Sequence, residues 1–122
     1  MGKRIMVIDD SAVFRKVVSM NLKSAGYEIV EAGDGLDALN KLKTVESVNL
    51  ILCDVNMPNM DGLTFVSKVR TEENFRFIPI IMLTTESQED KKRRGLESGA
   101  KAWLVKPFSP EQLLAAVSKL II

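Results

Sequence analysis

The chain has 122 residues, and its 17 Lys and Arg residues nearly balance its 16 Asp and Glu residues, for a formal net charge of +1. This length predicts one domain spanning residues 1–122, and the near-neutral charge gives no basic field that would favour nucleic-acid binding. The single cysteine, Cys53, excludes an internal disulfide, the absence of histidine disfavours zinc and haem sites, and no apolar run reaches about 18 residues, so we expect a cytoplasmic protein without a membrane span.

The first half of the chain alternates between short apolar runs and helical repeats. Lys3–Ile8 is a predicted strand, and apolar residues then recur at helical spacing until Gly26 ends the helix. Tyr27–Glu31 is a second predicted strand, and an apolar stripe over residues 36–45 predicts a second helix. Asn49–Asp54 is apolar on consecutive positions, which favours a third strand in a sheet that is covered on both faces.

The second half of the chain repeats this alternation. A stripe over residues 63–69 predicts the third helix, and Ile78–Leu83 is the fourth predicted strand. A helix over Glu86–Ser98 and a short strand at Ala102–Val105 follow, and the last helix begins after the capping residue Ser109. Five units of strand followed by helix predict a doubly wound α/β domain, with a parallel sheet and helices on both faces.

Polar residues follow four of these predicted strands. They are Asp9 and Asp10, Asp54, Thr84 and Lys106. Because the carboxyl ends of parallel strands lie at one edge of a sheet, we expect these side chains to converge on one pocket. Taken alone, each residue has an ordinary explanation as a cap, loop or strand-end residue. The combination favours a shared site.

The chemistry of this set suits a divalent cation and a phosphoryl group. Three carboxylates that lie close together repel one another unless a cation neutralises them, and Mg²⁺ prefers oxygen ligands from carboxylates, carbonyls and water. The backbone carbonyl of Asn56, two residues after Asp54, is a further candidate ligand. Lys106 can reach a phosphoryl oxygen with its ammonium group, and Thr84 can donate a hydrogen bond to one.

Four short motifs, in this order and at suitable spacing, carry a resemblance to a known family. They are Val7-Ile8-Asp9-Asp10-Ser11, residues 54–62, Leu83-Thr84 and Lys106-Pro107-Phe108. Over residues 3–121 the chain resembles the receiver domain of two-component response regulators, especially the stand-alone chemotaxis type. The resemblance implies a flavodoxin-like strand order 2-1-3-4-5 with five helices. It also implies a protein that is not an enzyme in the ordinary sense, because it catalyses only its own phosphorylation and dephosphorylation.

The resemblance assigns a role to each residue of the pocket. Asp54 would accept a phosphoryl group from a sensor histidine kinase and form an aspartyl phosphate. Asp10, Asp54 and the carbonyl of Asn56 would bind Mg²⁺ directly, and Asp9 would act on the metal largely through water. Lys106 would neutralise charge on the group in transfer, so that positioning and electrostatics supply the catalysis.

A switch and an output face are also implied by the resemblance. Thr84 would bind a phosphoryl oxygen and move towards it, and Trp103 stands at the aromatic position that would respond, where tyrosine or phenylalanine is more usual. Trp103 also suits a packing role without any switching. We hypothesise that Lys91, Lys92 and Trp103 dock an acidic or amphipathic partner peptide, although the basic run 91–94 also suits a solvated helix face.

The resemblance implies a monomer that acts on an output protein such as a flagellar motor component or a phosphatase. Two other functions stay open at this point. One is relay of the phosphoryl group to another histidine protein. The other is a magnesium-dependent phosphatase of the haloacid-dehalogenase type, which also uses a strand-end aspartate. That family needs an acid two residues after its nucleophile, where this chain has Ser11 after Asp9 and Asn56 after Asp54.

Overall fold

The computed structural model describes residues 2–84 and 100–122. Five strands lie in these residues: β1 Arg4–Ile8, β2 Glu28–Ala32, β3 Leu50–Asp54, β4 Ile80–Thr84 and β5 Ala102–Val105. Four helices accompany them: α1 Ala12–Ser24, α2 Gly35–Leu42, α3 Gly62–Thr71 and α4 Pro110–Leu120. The helix predicted over Glu86–Ser98 lies outside the described residues. None of the helices in the described ranges is both long enough and apolar enough to cross a membrane.

The five strands form one parallel sheet in the order β2-β1-β3-β4-β5. This result confirms the doubly wound α/β fold and the strand order that the resemblance implies. Neighbouring strands end in register, since Ile8 of β1 pairs with Cys53 of β3 and Thr84 of β4 pairs with Val105 of β5. The residues that follow the strands therefore meet at one edge of the sheet, as expected for this architecture.

Alternate residues of each central strand pack into two apolar clusters, one on each face of the sheet. In β1, Met6 and Ile8 belong to one cluster, whereas Ile5 and Val7 belong to the other. Helices α2 and α3 cover the first face, and α1 and α4 cover the second. β3 and β4 are buried along their whole length. Burial on both faces explains why the sequence shows consecutive apolar residues in these strands.

Each of the four helices begins after a polar residue whose side chain accepts a hydrogen bond from a backbone N–H of the first turn. These capping residues are Ser11, Asp34, Asp61 and Ser109. At Ser109 the cap is reciprocal, because the side chain of Gln112 accepts the N–H of Ser109 at 2.8 Å. The caps fix where each helix starts and so define the loops at the carboxyl edge of the sheet.

The boundaries of β1 to β4 differ from the predicted ones by one or two residues, whereas β5 has the predicted bounds. β4 begins at Ile80 rather than Ile78, because Pro79 has no N–H to donate to a neighbouring strand. The carbonyl oxygen of Pro79 still accepts the N–H of Ile51 at 3.0 Å. These shifts leave the residues at the carboxyl ends of β1, β3, β4 and β5 where the sequence predicts them.

Candidate functional site

Three aspartates lie together at the carboxyl edge of the sheet. Asp9 directly follows β1, and Asp54 is the last residue of the neighbouring strand β3. Carboxylate oxygens of Asp9, Asp10 and Asp54 lie within 4.8 Å of one another, and no other group of this kind occurs in residues 2–84 and 100–122. Asp9 and Asp54 are only 1% and 9% exposed, whereas Asp10 is exposed. The structure thus brings together the three carboxylates that the sequence singles out.

Lys106 contacts two members of this acidic cluster. It follows β5, and its Nζ donates hydrogen bonds to Asp9 Oδ2 at 3.0 Å and to Asp54 Oδ1 at 3.1 Å. A buried carboxylate is costly unless it is paired and hydrogen-bonded, and one ammonium here serves two carboxylates. The cluster therefore keeps a negative charge when its aspartates are ionised.

The pKa values of Asp54 and Lys106 reflect this charge balance. Burial, and after it the charge of Asp9, raises the pKa of Asp54, and the contact with Lys106 offsets only part of the effect. Burial acts to lower the pKa of Lys106, but the hydrogen bonds and charges of the two aspartates outweigh it, so the pKa lies above its usual value. The remaining negative charge at Asp54 favours the binding of a further cation.

Asp9 is held by contacts with three other residues of the chain. Its Oδ1 accepts the backbone N–H of Ser11 at 2.9 Å, and its Oδ2 accepts from Lys106. Its carbonyl oxygen accepts a hydrogen bond from Nη1 of Arg15 in α1. Nε of Arg15 in turn donates to Glu31 of β2 at 3.0 Å. Arg15 therefore ties the Asp9–Asp10 turn to the edge strand of the sheet.

Two aromatic rings lie beside Lys106. The Phe14 ring of α1 lies under Nζ of Lys106, with 4.2 Å between Nζ and the ring centroid. The rings of Phe14 and Phe108 meet edge to face, with centroids 5.8 Å apart and planes at 81°. A cation over an aromatic face is attracted by the ring quadrupole. Lys106 is therefore held by two carboxylates and one aromatic ring.

The loop after Asp54 is fixed by close contacts. A Cβ at Gly62 would lie 2.2 Å from the carbonyl oxygen of Asp54, so only glycine fits at the start of α3. Asn59 adopts a left-handed backbone conformation with φ of 65°, and its side-chain amide donates to Asp34 Oδ2 at 2.7 Å. The N–H of Asp37, and after it the amide of Asn59, lowers the pKa of Asp34. The loop is thus anchored to the start of α2.

Comparison with known proteins shows which family has this fold and this acidic cluster. A sequence model of the response regulator receiver domain matches residues 5–118. The chain belongs to this family. A receiver domain is a signalling domain of two-component systems whose partner is a histidine kinase, and it is not a conventional enzyme. The phosphatase interpretation is therefore set aside for this receiver.

Individual relatives agree with this assignment. The receiver is 39% identical to the chemotaxis protein CheY1 of Helicobacter pylori over 111 residues, which are 90% of each chain. It is 43% identical to the chemotaxis response regulator CheY4 of Vibrio cholerae, whose structure matches with a TM-score of 0.92 over 99% of this receiver and 100% of that chain. The receiver domain of the sensor histidine kinase PA1611 from Pseudomonas aeruginosa is 28% identical, with a TM-score of 0.89 over 98% of each chain, and its structure has a magnesium ion coordinated in the active-site cleft. The aspartate triad is typical of the magnesium site of receiver domains.

Thr84 lies at the end of β4, the strand beside β3, and Asn56 lies close to Asp54 in the chain. Thr84 ends β4 and is buried, and its carbonyl oxygen accepts the N–H of Lys106 at 2.6 Å. Asn56 is exposed in the loop that follows β3, two residues beyond Asp54. Their roles, as phosphoryl-binding hydroxyl and as metal-binding carbonyl, stay predictions.

The residues predicted for switching and output are only partly within the described chain. Trp103 lies on β5, partly buried against the apolar cluster on the face covered by α2 and α3. Its indole N–H is buried and has no hydrogen-bond partner in the part of the chain that the structure describes. Lys91 and Lys92 lie outside the described residues, so the docking hypothesis for them stays a prediction.

Arg15, Glu31 and the contact of Phe14 with a cation are not predicted from the sequence. A signal for Arg15 was present, because a positive charge near the start of a helix opposes the helix dipole and needs an acceptor nearby. Glu31 carried no comparable signal on its edge strand. Helical spacing predicts Phe14 only as part of an apolar face, and spacing alone does not reveal that the ring faces an ammonium group.

Proposed function

We propose that this receiver is a phosphorylation-switched signalling protein in which Asp54 accepts a phosphoryl group from the phosphohistidine of a sensor histidine kinase. One observation carries the proposal: the buried carboxylate of Asp54 lies beside Asp9 and within 3.1 Å of the ammonium of Lys106. Residues 1–122 would form one receiver domain. Family membership supports this assignment, and the role of each side chain is our inference.

The proposed transfer is a nucleophilic substitution at phosphorus. A carboxylate oxygen of Asp54 forms a bond to phosphorus while the phosphorus–nitrogen bond to the kinase histidine breaks, and the bonding electrons stay on the imidazole nitrogen. The product is an acyl phosphate, which water hydrolyses to phosphate and free Asp54. Lys106 would stabilise negative charge on the phosphoryl oxygens by its position rather than by transferring a proton.

The residues of the cluster fit a divalent cation of the magnesium type. The carboxylates of Asp9, Asp10 and Asp54 and the backbone carbonyl of Asn56 would hold it, and these are the oxygen ligands that Mg²⁺ prefers. Both carboxylate oxygens of Asp9 already accept hydrogen bonds, so we expect Asp10 and Asp54 to bind the ion directly. Bound Mg²⁺ would neutralise charge on the phosphoryl oxygens.

A role in chemotaxis is the finer part of the proposal. Two relatives that align with this receiver over nearly their full length are the chemotaxis proteins CheY1 and CheY4. The output protein would be a motor component or a phosphatase, reached through movement of Thr84 and a response of Trp103. The indole N–H of Trp103 is buried and has no hydrogen-bond partner among the described residues. This supports a response of Trp103, because a rearrangement that supplies a partner would be favourable.

The test is incubation of the receiver with Mg²⁺ and acetyl phosphate, followed by intact mass and fluorescence of its single tryptophan, Trp103. We expect the native receiver to gain one phosphoryl group and its fluorescence to change. Asp54→Ala should gain none. Asp37→Ala, which removes a half-buried aspartate of α2 outside the cluster, is the control and should be phosphorylated normally. An equal adduct on Asp54→Ala, or none on the native receiver, would contradict the proposal.

A further inference from the structure

Lys106 contacts a side chain that takes no part in the chemistry proposed above. The ring of Phe14 lies 4.2 Å from its Nζ, measured to the ring centroid. Both side chains are only partly exposed, and attraction between an ammonium and an aromatic face is stronger where water is partly excluded. The edge-to-face contact with Phe108 fixes the tilt of the Phe14 ring.

A lysine at this position needs support because its stem is long and flexible. Four methylene groups separate the ammonium from the backbone, and holding them in one conformation costs side-chain entropy. In the unphosphorylated receiver, the carboxylate of Asp54 supplies part of the attraction that holds the ammonium of Lys106. During transfer, however, one oxygen of Asp54 becomes part of an acyl phosphate and its carboxylate charge is lost. The Phe14 ring is unchanged by the reaction and keeps its attraction for the ammonium.

We propose that Phe14 is a positioning residue whose ring face holds the ammonium of Lys106 beside Asp54. The consequence for phosphorylation rests on the proposed function, whereas the contact itself does not. The competing explanation is packing alone, in which any apolar side chain of similar volume would serve at position 14. The two explanations differ because only the attraction to a cation depends on the electron density of the ring.

The first experiment is a double-mutant cycle that needs no phosphorylation. Unfolding is measured without divalent cations for Phe14→Leu, Lys106→Met and the double variant. Phe14→Leu should raise the unfolding equilibrium constant by some factor in the native background. We expect that factor to be about three- to tenfold smaller in the Lys106→Met background. Lys101→Met removes an exposed lysine that precedes β5 and is the control, with no coupling expected. Absence of coupling between positions 14 and 106 would overturn the proposal.

The second experiment varies the ring electrostatics at nearly constant shape. Phenylalanines that carry one, two or three fluorines replace Phe14, and the rate of phosphorylation by acetyl phosphate is followed by intact mass. Because fluorine withdraws electron density from the ring face, we expect the rate constant to fall stepwise, by about two- to fivefold at the third fluorine. The same replacements at Phe65, which is buried in the cluster on the opposite face, should leave the rate unchanged. A rate that is constant across the Phe14 series would show that the ring acts through packing alone and would overturn the proposal.

The two experiments separate failure of this inference from failure of the proposed function. Coupling between Phe14 and Lys106 in a receiver that takes no phosphoryl group would support the positioning contact and overturn the proposed function alone. Normal phosphorylation with neither coupling nor a fluorine effect would overturn the positioning role and leave the proposed function intact.

Discussion

Nζ of Lys106 lies 3.1 Å from Oδ1 of Asp54, although β4 lies between β3, which ends at Asp54, and β5, which Lys106 follows. Neighbouring strands are about 4.8 Å apart, so the backbones of β3 and β5 are separated by about 10 Å. Only a long side chain covers that distance, which explains why a lysine serves at this position. The long side chain of Lys106 therefore brings its positive charge beside the carboxylate of Asp54.

Removal of this ammonium should change phosphorylation and metal binding in opposite directions. Lys106→Met keeps most of the apolar stem but leaves Asp9 and Asp54 without their counter-charge. We expect the rate of phosphorylation by acetyl phosphate to fall about 100-fold, as for loss of a preorganised group that stabilises charge. The affinity for Mg²⁺, measured by Trp103 fluorescence, should rise because a competing positive charge is gone. Lys101→Met makes the same charge change away from the cluster and should alter neither quantity. Weaker Mg²⁺ binding by Lys106→Met would contradict this electrostatic account.

Asp54 should limit stability when no divalent cation is bound. Its pKa in the folded receiver is raised, first by burial and then by the charge of Asp9, so ionisation of this carboxyl destabilises the native state. Its contribution to stability is therefore fully present below its ordinary pKa of 3.8 and is lost as the pH rises through the folded-state pKa. Asp54→Asn, which cannot ionise, should unfold about 2–5 °C higher than the native receiver at neutral pH without metal.

Thermal unfolding from about pH 4 to about pH 8 checks the sign of this effect, because the advantage of Asp54→Asn should shrink as the pH falls. Mg²⁺ should stabilise the native receiver by mass action and stabilise Asp54→Asn less, since the variant lacks one carboxylate ligand. An advantage of Asp54→Asn that grows towards low pH would show that the carboxylate is stabilised, not destabilised, by its surroundings.

Gly62→Ala should disturb both the fold and the acidic cluster. Its new Cβ would lie 2.2 Å from the carbonyl oxygen of Asp54 and 3.0 Å from Cα of Val55, so the start of α3 must move. We expect a loss of about 3 kcal/mol in the free energy of unfolding and weaker Mg²⁺ binding. Gly33→Ala is the matched control, because a Cβ there meets no atom within 4 Å. Chemical denaturation measures both variants, and equal stabilities would refute the close packing of Gly62 against Asp54.

Arg15 should affect the metal site more than stability alone predicts. Arg15→Ala removes the donor to the Asp9 carbonyl and the ion pair with Glu31. Groups that orient metal ligands typically change metal affinity when removed, and we expect about a tenfold loss of Mg²⁺ affinity. Arg4→Ala removes a similar ion pair, Arg4–Glu28 at 3.1 Å, at the opposite end of β1 and β2. It should lower stability but leave Mg²⁺ affinity unchanged. Equal losses of affinity in both variants would mean that Arg15 acts only through general stability.

The acidic cluster can be predicted from the sequence because each of its residues is marked by the short segment around it. Asp9, Asp54 and Lys106 each follow an apolar run, and the geometry of a parallel sheet then brings strand ends together without further detail. Pro79 shows the limit of such reasoning for boundaries, since a missing N–H moved the start of β4 by two residues. The resemblance added the strand order, which apolar spacing does not determine.

Contacts between helix side chains and the site were not predictable in the same way. Arg15 reaches a carbonyl of the turn before its own helix and a glutamate on β2, and Phe14 reaches a lysine that lies far along the chain. These contacts depend on the orientation of α1 about its own axis relative to the sheet, and packing of the whole apolar face of the helix sets that orientation. Asp9 is a further example, because the sequence does not show that its two carboxylate oxygens accept hydrogen bonds from Ser11 and Lys106.

The most direct test of the central claim is to locate the phosphoryl group in the chain. The receiver is treated with Mg²⁺ and acetyl phosphate and then with borohydride, which reduces an aspartyl phosphate to homoserine, and the peptides are sequenced by mass spectrometry. We predict homoserine at position 54 and unmodified aspartate at positions 9 and 10. Homoserine at position 9 or 10 with an intact Asp54 would contradict the assignment of the phosphoacceptor.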